Sequence, residues 1–172
     1  MTTKKVLIVY ASGFGSTTEV AHVIAELLHA KNFQVEVQSA DIARPPNKDE
    51  TVIIGSAIRY DRWLFDAKAY LDQHQDMLAT LKVVYFYSCL TIAANPTTPD
   101  SDQIYDSRLL AMNSTIKPIM VGGFAGALNY KVMPWYMRMF IGSIAMSKGL
   151  KGCDYRDWST IRTWINQLAN KL

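Results

Sequence analysis

Short apolar runs alternate along this chain with segments of helical periodicity, and that alternation restricts the fold more than any other feature. "KVLIVY" (5–10) is continuous and β-branched, as a strand buried on both faces requires. Residues 17–30 then place Val20, Val23, Ile24, Leu27 and Leu28 on one helical face. "QVEVQ" (34–38) alternates like a strand with one face less deeply buried, and "TVIIGS" (51–56) is again a buried strand. Residues 62–80 read as a somewhat irregular helix through Leu64, Ala67, Leu71 and Leu78. "VVYFYS" (83–88) and "PIMVGGF" (118–124) supply the fourth and fifth strands. Between them lies the loop "NPTTPDSD", with Ser101 or Asp102 as N-cap of a helix reaching about Ser114. A last helix starts near Asp157 and aligns Trp158, Ile161, Ile165 and Leu168.

Five strands separated by helices imply an α/β fold, a five-stranded parallel sheet with helices on both faces. The 172 residues suit one domain, 1–172, and 49% hydrophobic content fills its core. One segment breaks the alternation. "VMPWYMRMFIGSIAMS" (132–147) is an insertion after the fifth strand, apolar nearly all round and charged only at Arg138. It is short for a membrane-spanning helix. Three readings compete for it: core packing on the sheet edge, burial in a membrane interface favoured by Lys131, Lys148 and Lys151, and contact with a second subunit.

A net charge of +3 without basic blocks interleaved with aromatics argues against nucleic-acid binding. It is also not the acidic surface of a carrier that docks on basic partners. His22, His29 and His74 show no ligand spacing, so no metal site is expected. Cys89 and Cys153 form no disulfide framework, and a reducing, cytoplasmic setting is the simpler reading.

In a doubly wound sheet, ligands bind beyond the strand C-termini where the strand order reverses. That rule selects Ala11–Thr17, Ser56–Tyr60 and Ser88–Asn95. The first, "ASGFGST", joins a strand to a helix, whose N-terminal amides accept an anion. It lacks the lysine of a triphosphate loop and the third glycine of a dinucleotide loop. Hydroxyls and amides suit a phosphate monoester, although an ordinary strand-to-helix turn also favours Ser and Gly. In the second loop Tyr60 offers a face for a planar ring, and in the third Ser88, Cys89 and Leu90 stand where the ring's other edge would lie. No base is placed to activate Cys89, so it has no catalytic role.

"YASGFGST" looks like the phosphate loop of the flavodoxin family. Together with "IGSAIRY" (54–60), "GALNY" (126–130), "WYMRMFI" (135–141) and "YRDW" (155–158), it resembles the flavodoxin-like, menaquinone-dependent protoporphyrinogen dehydrogenases over essentially the whole chain. The resemblance implies a flavodoxin-like fold and an FMN-dependent oxidoreductase of haem biosynthesis. Such an enzyme removes hydrogen from protoporphyrinogen IX and passes electrons to a quinone at the membrane. Ser12, Gly13, Phe14, Gly15, Ser16 and Thr17 would hold the FMN phosphate. Ser56, Ala57, Ile58, Arg59 and Tyr60 would flank the ring with Ser88, Cys89 and Leu90. Asn129, Tyr130, Lys131 and Arg138 would lie toward the substrate, and Arg59, Lys131 or Arg138 would pair with its propionates. The alternatives are a flavodoxin-type electron carrier and a nicotinamide-dependent quinone reductase.

Overall fold

The computed structural model describes residues 4–94, 106–111, 113, 115–127, 134–147 and 154–172. Ser101, Asp102, Asn129, Tyr130, Lys131 and Cys153 lie outside the described residues. Five strands run parallel: β1 (Lys5–Ala11), β2 (Gln34–Ser39), β3 (Glu50–Arg59), β5 (Lys82–Cys89) and β6 (Met120–Ala125). Their spatial order is β2-β1-β3-β5-β6, so the chain turns back at β1. This is the doubly wound order expected from the alternation.

The three central strands are buried on both faces, which is why their sequences are continuously apolar rather than alternating. Side chains nevertheless segregate by strand parity. Val6, Ile8, Ile53, Val84 and Phe86 meet α1 (Ser16–His29) and α7 (Trp158–Lys171) on one face. Leu7, Val9, Val52, Ile54, Val83 and Tyr85 meet α2 (Phe65–Gln73) and α3 (Gln75–Leu78) on the other. Leu109, in the helical stretch α5 (described over 106–111), joins that second core. The less buried β2 is the edge strand next to β1.

Two departures from the expected elements matter for the site. The third strand does not stop at Ser56 but continues to Arg59 and folds back through β4 (Arg62–Trp63), a two-residue antiparallel partner. The sheet therefore gains a sixth strand, and the expected helix over 62–80 starts only at Phe65 and breaks at His74. The stretch after the fourth expected strand is not a free loop either: Leu90–Ala94 form α4, directly after β5.

At the opposite end of β3, Glu50 is buried and receives four donors. Arg44 donates through Nη1 at 3.0 Å and Nη2 at 2.7 Å, and Asn47 donates through its backbone N–H at 2.9 Å and its side-chain amide at 3.0 Å. Burial raises the Glu50 pKa, but the Arg44 and Asn47 donors outweigh it and hold the carboxyl at about 2, against 4.5 for an ordinary glutamate. That difference is worth about 3 kcal/mol. The folded value lies below the unfolded one, so the contribution is complete above about pH 4.5 and disappears as pH falls toward about 2. Glu50→Gln is expected to lower stability at pH 7 by about 2–3 kcal/mol and to flatten its loss between pH 4.5 and 2. Urea unfolding across that range measures both, and an unchanged acid dependence would contradict the assignment.

Candidate functional site

The strand register brings three chain segments to one edge. Ala11 stands beside Ser56, Ser56 beside Tyr87, and Ala57 beside Ser88. Beyond Ala11 the chain makes the turn 12–15 and enters α1. Gly15 is the N-cap, with φ of 89°, a backbone state that a residue with a Cβ adopts only under strain. No side chain caps the helix. α7 shows the contrast, because Asp157 accepts from the N–H groups of Ser159 and Thr160 and closes that helix end. The first-turn N–H groups of α1 have no side-chain cap, and a Cβ added at Gly15 would meet nothing within 4 Å.

The hydroxyls singled out in the sequence hold this edge together. Ser12 Oγ accepts from the Gly15 N–H at 3.0 Å and shapes the turn. The Thr17 and Ser88 hydroxyls, both buried, bond at 2.7 Å and tie the start of α1 to the end of β5. Ser56 Oγ donates to the Ala57 carbonyl and accepts the Leu64 N–H, each at 2.9 Å, and so anchors the β3–β4 hairpin. Cys89 is a buried free thiol accepting from the Thr91 N–H at 3.4 Å. Leu90 is half-buried at the start of α4. Ala57 and Ile58, also half-buried, run along β3 toward the hairpin.

The hairpin turn places Tyr60 and Asp61 at φ of 51° and 60°. Both centres of this turn need positive φ, a state usually supplied by Asn or Gly. Tyr there costs about 1 kcal/mol or more. Its ring stands 74% exposed on the rim of the site. Arg59 turns the other way. Its guanidinium carbon lies 5.0 Å from the centre of the Phe14 ring, against the first turn.

A family model described as a flavodoxin domain matches residues 7–152. The chain belongs to the flavodoxin-domain family. A relative from Escherichia coli (strain K12), named protoporphyrinogen IX dehydrogenase (quinone), is 27% identical over 175 residues, 96% of this chain and 95% of the relative. Among solved structures, a Streptococcus pneumoniae flavodoxin aligns over 98% of this chain and 99% of its own at TM-score 0.56 and 15% identity. A Lactobacillus acidophilus flavoprotein in complex with FMN covers 71% of this chain and 93% of its own, at TM-score 0.51 and 16% identity.

Two features of this flavodoxin domain were not legible in its motifs. The first is Arg156, which the sequence presents only as one letter of "YRDW". Its side chain is 6% exposed and spans several partners. It pairs with Glu19 at 2.7 Å and Asp154 at 2.6 Å, donates to the Ser16 carbonyl at 3.1 Å, and lies over the Trp158 ring. Glu19 sits in the first turn of α1, where its charge would oppose a bound anion; Arg156 neutralises it. The second is α6 (Trp135–Ser147), inside the apolar insertion. Trp135, Tyr136, Met139 and Met146 are exposed and belong to neither core, which removes the core-packing reading for these side chains. Among the described residues no helix is long and apolar enough to cross a membrane, and no cluster of His, Cys, Asp or Glu is suited to a metal.

Arg156→Met leaves two carboxylates and a helix-end carbonyl without their donor. A loss of about 1–3 kcal/mol is expected in urea unfolding. Arg156→Lys should recover only part of it, since one ammonium cannot span three acceptors and stack on Trp158. An unchanged midpoint in Arg156→Met would show that the buried guanidinium contributes nothing.

Proposed function

We propose that the protein is an FMN-dependent oxidoreductase that takes hydrogen from protoporphyrinogen IX and passes electrons to a quinone. The observation that carries this reading is the uncapped start of α1 at the sheet's reversal point, in a chain aligned nearly end to end with a relative of that name. The residues fit the cofactor. The turn has Gly15 in the left-handed state, open space where its Cβ would stand, and first-turn N–H groups without a side-chain cap, as one phosphate monoester requires. The ends of β3 and β5 offer an exposed aromatic at Tyr60 and the half-buried small or apolar residues Ala57, Ile58 and Leu90, which suit a planar ring, with the buried Cys89 behind them.

When bound, FMN supplies the redox chemistry. The chain binds and orients. The α1 N–H groups would hold the phosphate, and Ser12 shapes the turn that presents them. The Thr17–Ser88 bond ties that turn to the end of β5, where the ring would lie. Ser56 anchors the hairpin that carries Tyr60, which would flank the ring. A general base is not required of the protein, and the three segments contain no histidine. Arg138, on α6, and Lys131, earlier in the insertion, supply the cations that propionates would meet. The exposed Trp135, Tyr136, Met139 and Met146 rest α6 in the interface of the membrane's inner face, where a quinone is delivered, and Lys131, Lys148 and Lys151 add attraction to anionic headgroups.

Purified protein, or apoprotein reconstituted with FMN, is expected to be yellow and to bleach on anaerobic addition of protoporphyrinogen IX. Added quinone should then restore the colour. A protein that takes up no FMN overturns the whole reading. One that stays yellow with porphyrinogen but bleaches with a nicotinamide donor is a quinone reductase instead.

A further inference from the structure

The turn 12–17 contains no cation, and its sequence leaves an anion to amides and hydroxyls alone. The fold brings a cation to it. The Arg59 guanidinium packs on the backbone of Gly13 so closely that a Cβ added there would stand 2.4 Å from Nη2 and 3.3 Å from Cζ. A side chain at position 13 would have to displace the end of Arg59. Stacking on Phe14 accounts for one side of this placement. It does not account for the charge. Among the described residues no carboxylate forms an ion pair with Arg59, and its partner across the hairpin is Arg62, a like charge. Asp61, between them, pairs with Arg108 at 3.5 Å. The acid nearest the turn in sequence, Glu19, is already paired with Arg156. A guanidinium with no ion pair among the described residues therefore lies on an uncapped helix start that itself carries partial positive charge.

We propose that Arg59 is the anion clamp of this turn: it closes over the phosphate held by the α1 N–H groups and makes the site select FMN over riboflavin, which lacks the phosphate. This rests on the flavoprotein reading above. It also moves Arg59 from the ring's flank and the substrate's propionates to the cofactor's phosphate, leaving the substrate charges to the insertion.

The test is titration of the apoprotein with FMN and with riboflavin, read by flavin fluorescence. Arg59→Gln should weaken FMN by about 10- to 100-fold, the range for loss of a charge-assisted contact, and change riboflavin by less than about threefold. Arg59→Lys should fall between. Raising salt from about 20 to about 500 mM should weaken FMN binding more in the unsubstituted protein than in Arg59→Gln. Gly13→Ala displaces only the far end of a flexible side chain, so it should fold normally, lose FMN affinity, and add little to Arg59→Gln. Equal losses for both flavins would reduce Arg59 to a packing residue on Phe14, and unchanged FMN affinity in Arg59→Gln would also overturn the clamp; in either case the flavoprotein reading stands. If the folded, unsubstituted protein binds neither flavin, that reading fails and the clamp falls with it.

Discussion

A parallel sheet buried on both faces leaves polar groups one place to gather, the edge where its strands end. Here β1, β3 and β5 are sealed by α1 and α7 on one side and by α2 and α3 on the other. The two cores leave no room for chemistry along the strands. The site therefore forms from the residues just beyond Ala11, Ser56 and Tyr87, three positions that the register sets side by side. The side chains there mainly fix the frame: Ser12 shapes the turn, Thr17 and Ser88 bond to each other, and Ser56 anchors the hairpin. The backbone N–H groups of the helix start remain without a side-chain cap, and such groups accept an anion without burying an unpaired charge.

Charge is arranged around that helix start with some care. A capping carboxylate, as Asp157 provides for α7, would occupy the position of an incoming anion. Gly15 leaves it open. Glu19 would weaken the attraction from within the first turn, and Arg156 cancels it with a guanidinium that is almost fully enclosed. Burial disfavours the Arg156 charge, but Asp154 and Glu19 outweigh that and keep it firmly protonated. Arg59 adds a second guanidinium, stacked on Phe14 in the turn and without an ion pair among the described residues. The turn is electrostatically one-sided, and each contributor comes from a different element.

The strands and the two flanking helices α1 and α7 were legible because burial on both faces demands continuous apolar runs, and helices demand a stripe. The turn 12–17 was legible because Gly and Ser at a strand-to-helix junction have a local backbone meaning. What escaped were elements decided by pairing across the chain. Nothing local in "SAIRYDRW" announces a hairpin, since Tyr60 and Asp61 are not the usual residues for a turn with positive φ at both centres. The pairing of Ile58 with Trp63 imposes it. The placement of Arg59 and Arg156 at the turn 12–17 was likewise unreadable, because their partners are far away in sequence.

The same long-range ties explain how an apolar insertion is tolerated beside a precise site. The excursion from the end of β6 closes at its base, where Ala127 bridges Asp154 and the Tyr155 N–H donates to the Gly126 carbonyl at 3.3 Å. The next residue is Arg156, which grips Ser16 and Glu19. The chain thus returns to the sheet at the start of α1, with one residue between the bridge and the guanidinium. The exposed side chains of α6 lie outside both cores, while the enclosed Arg156 guanidinium joins the returning chain to the start of α1 through the more exposed carboxylates of Asp154 and Glu19.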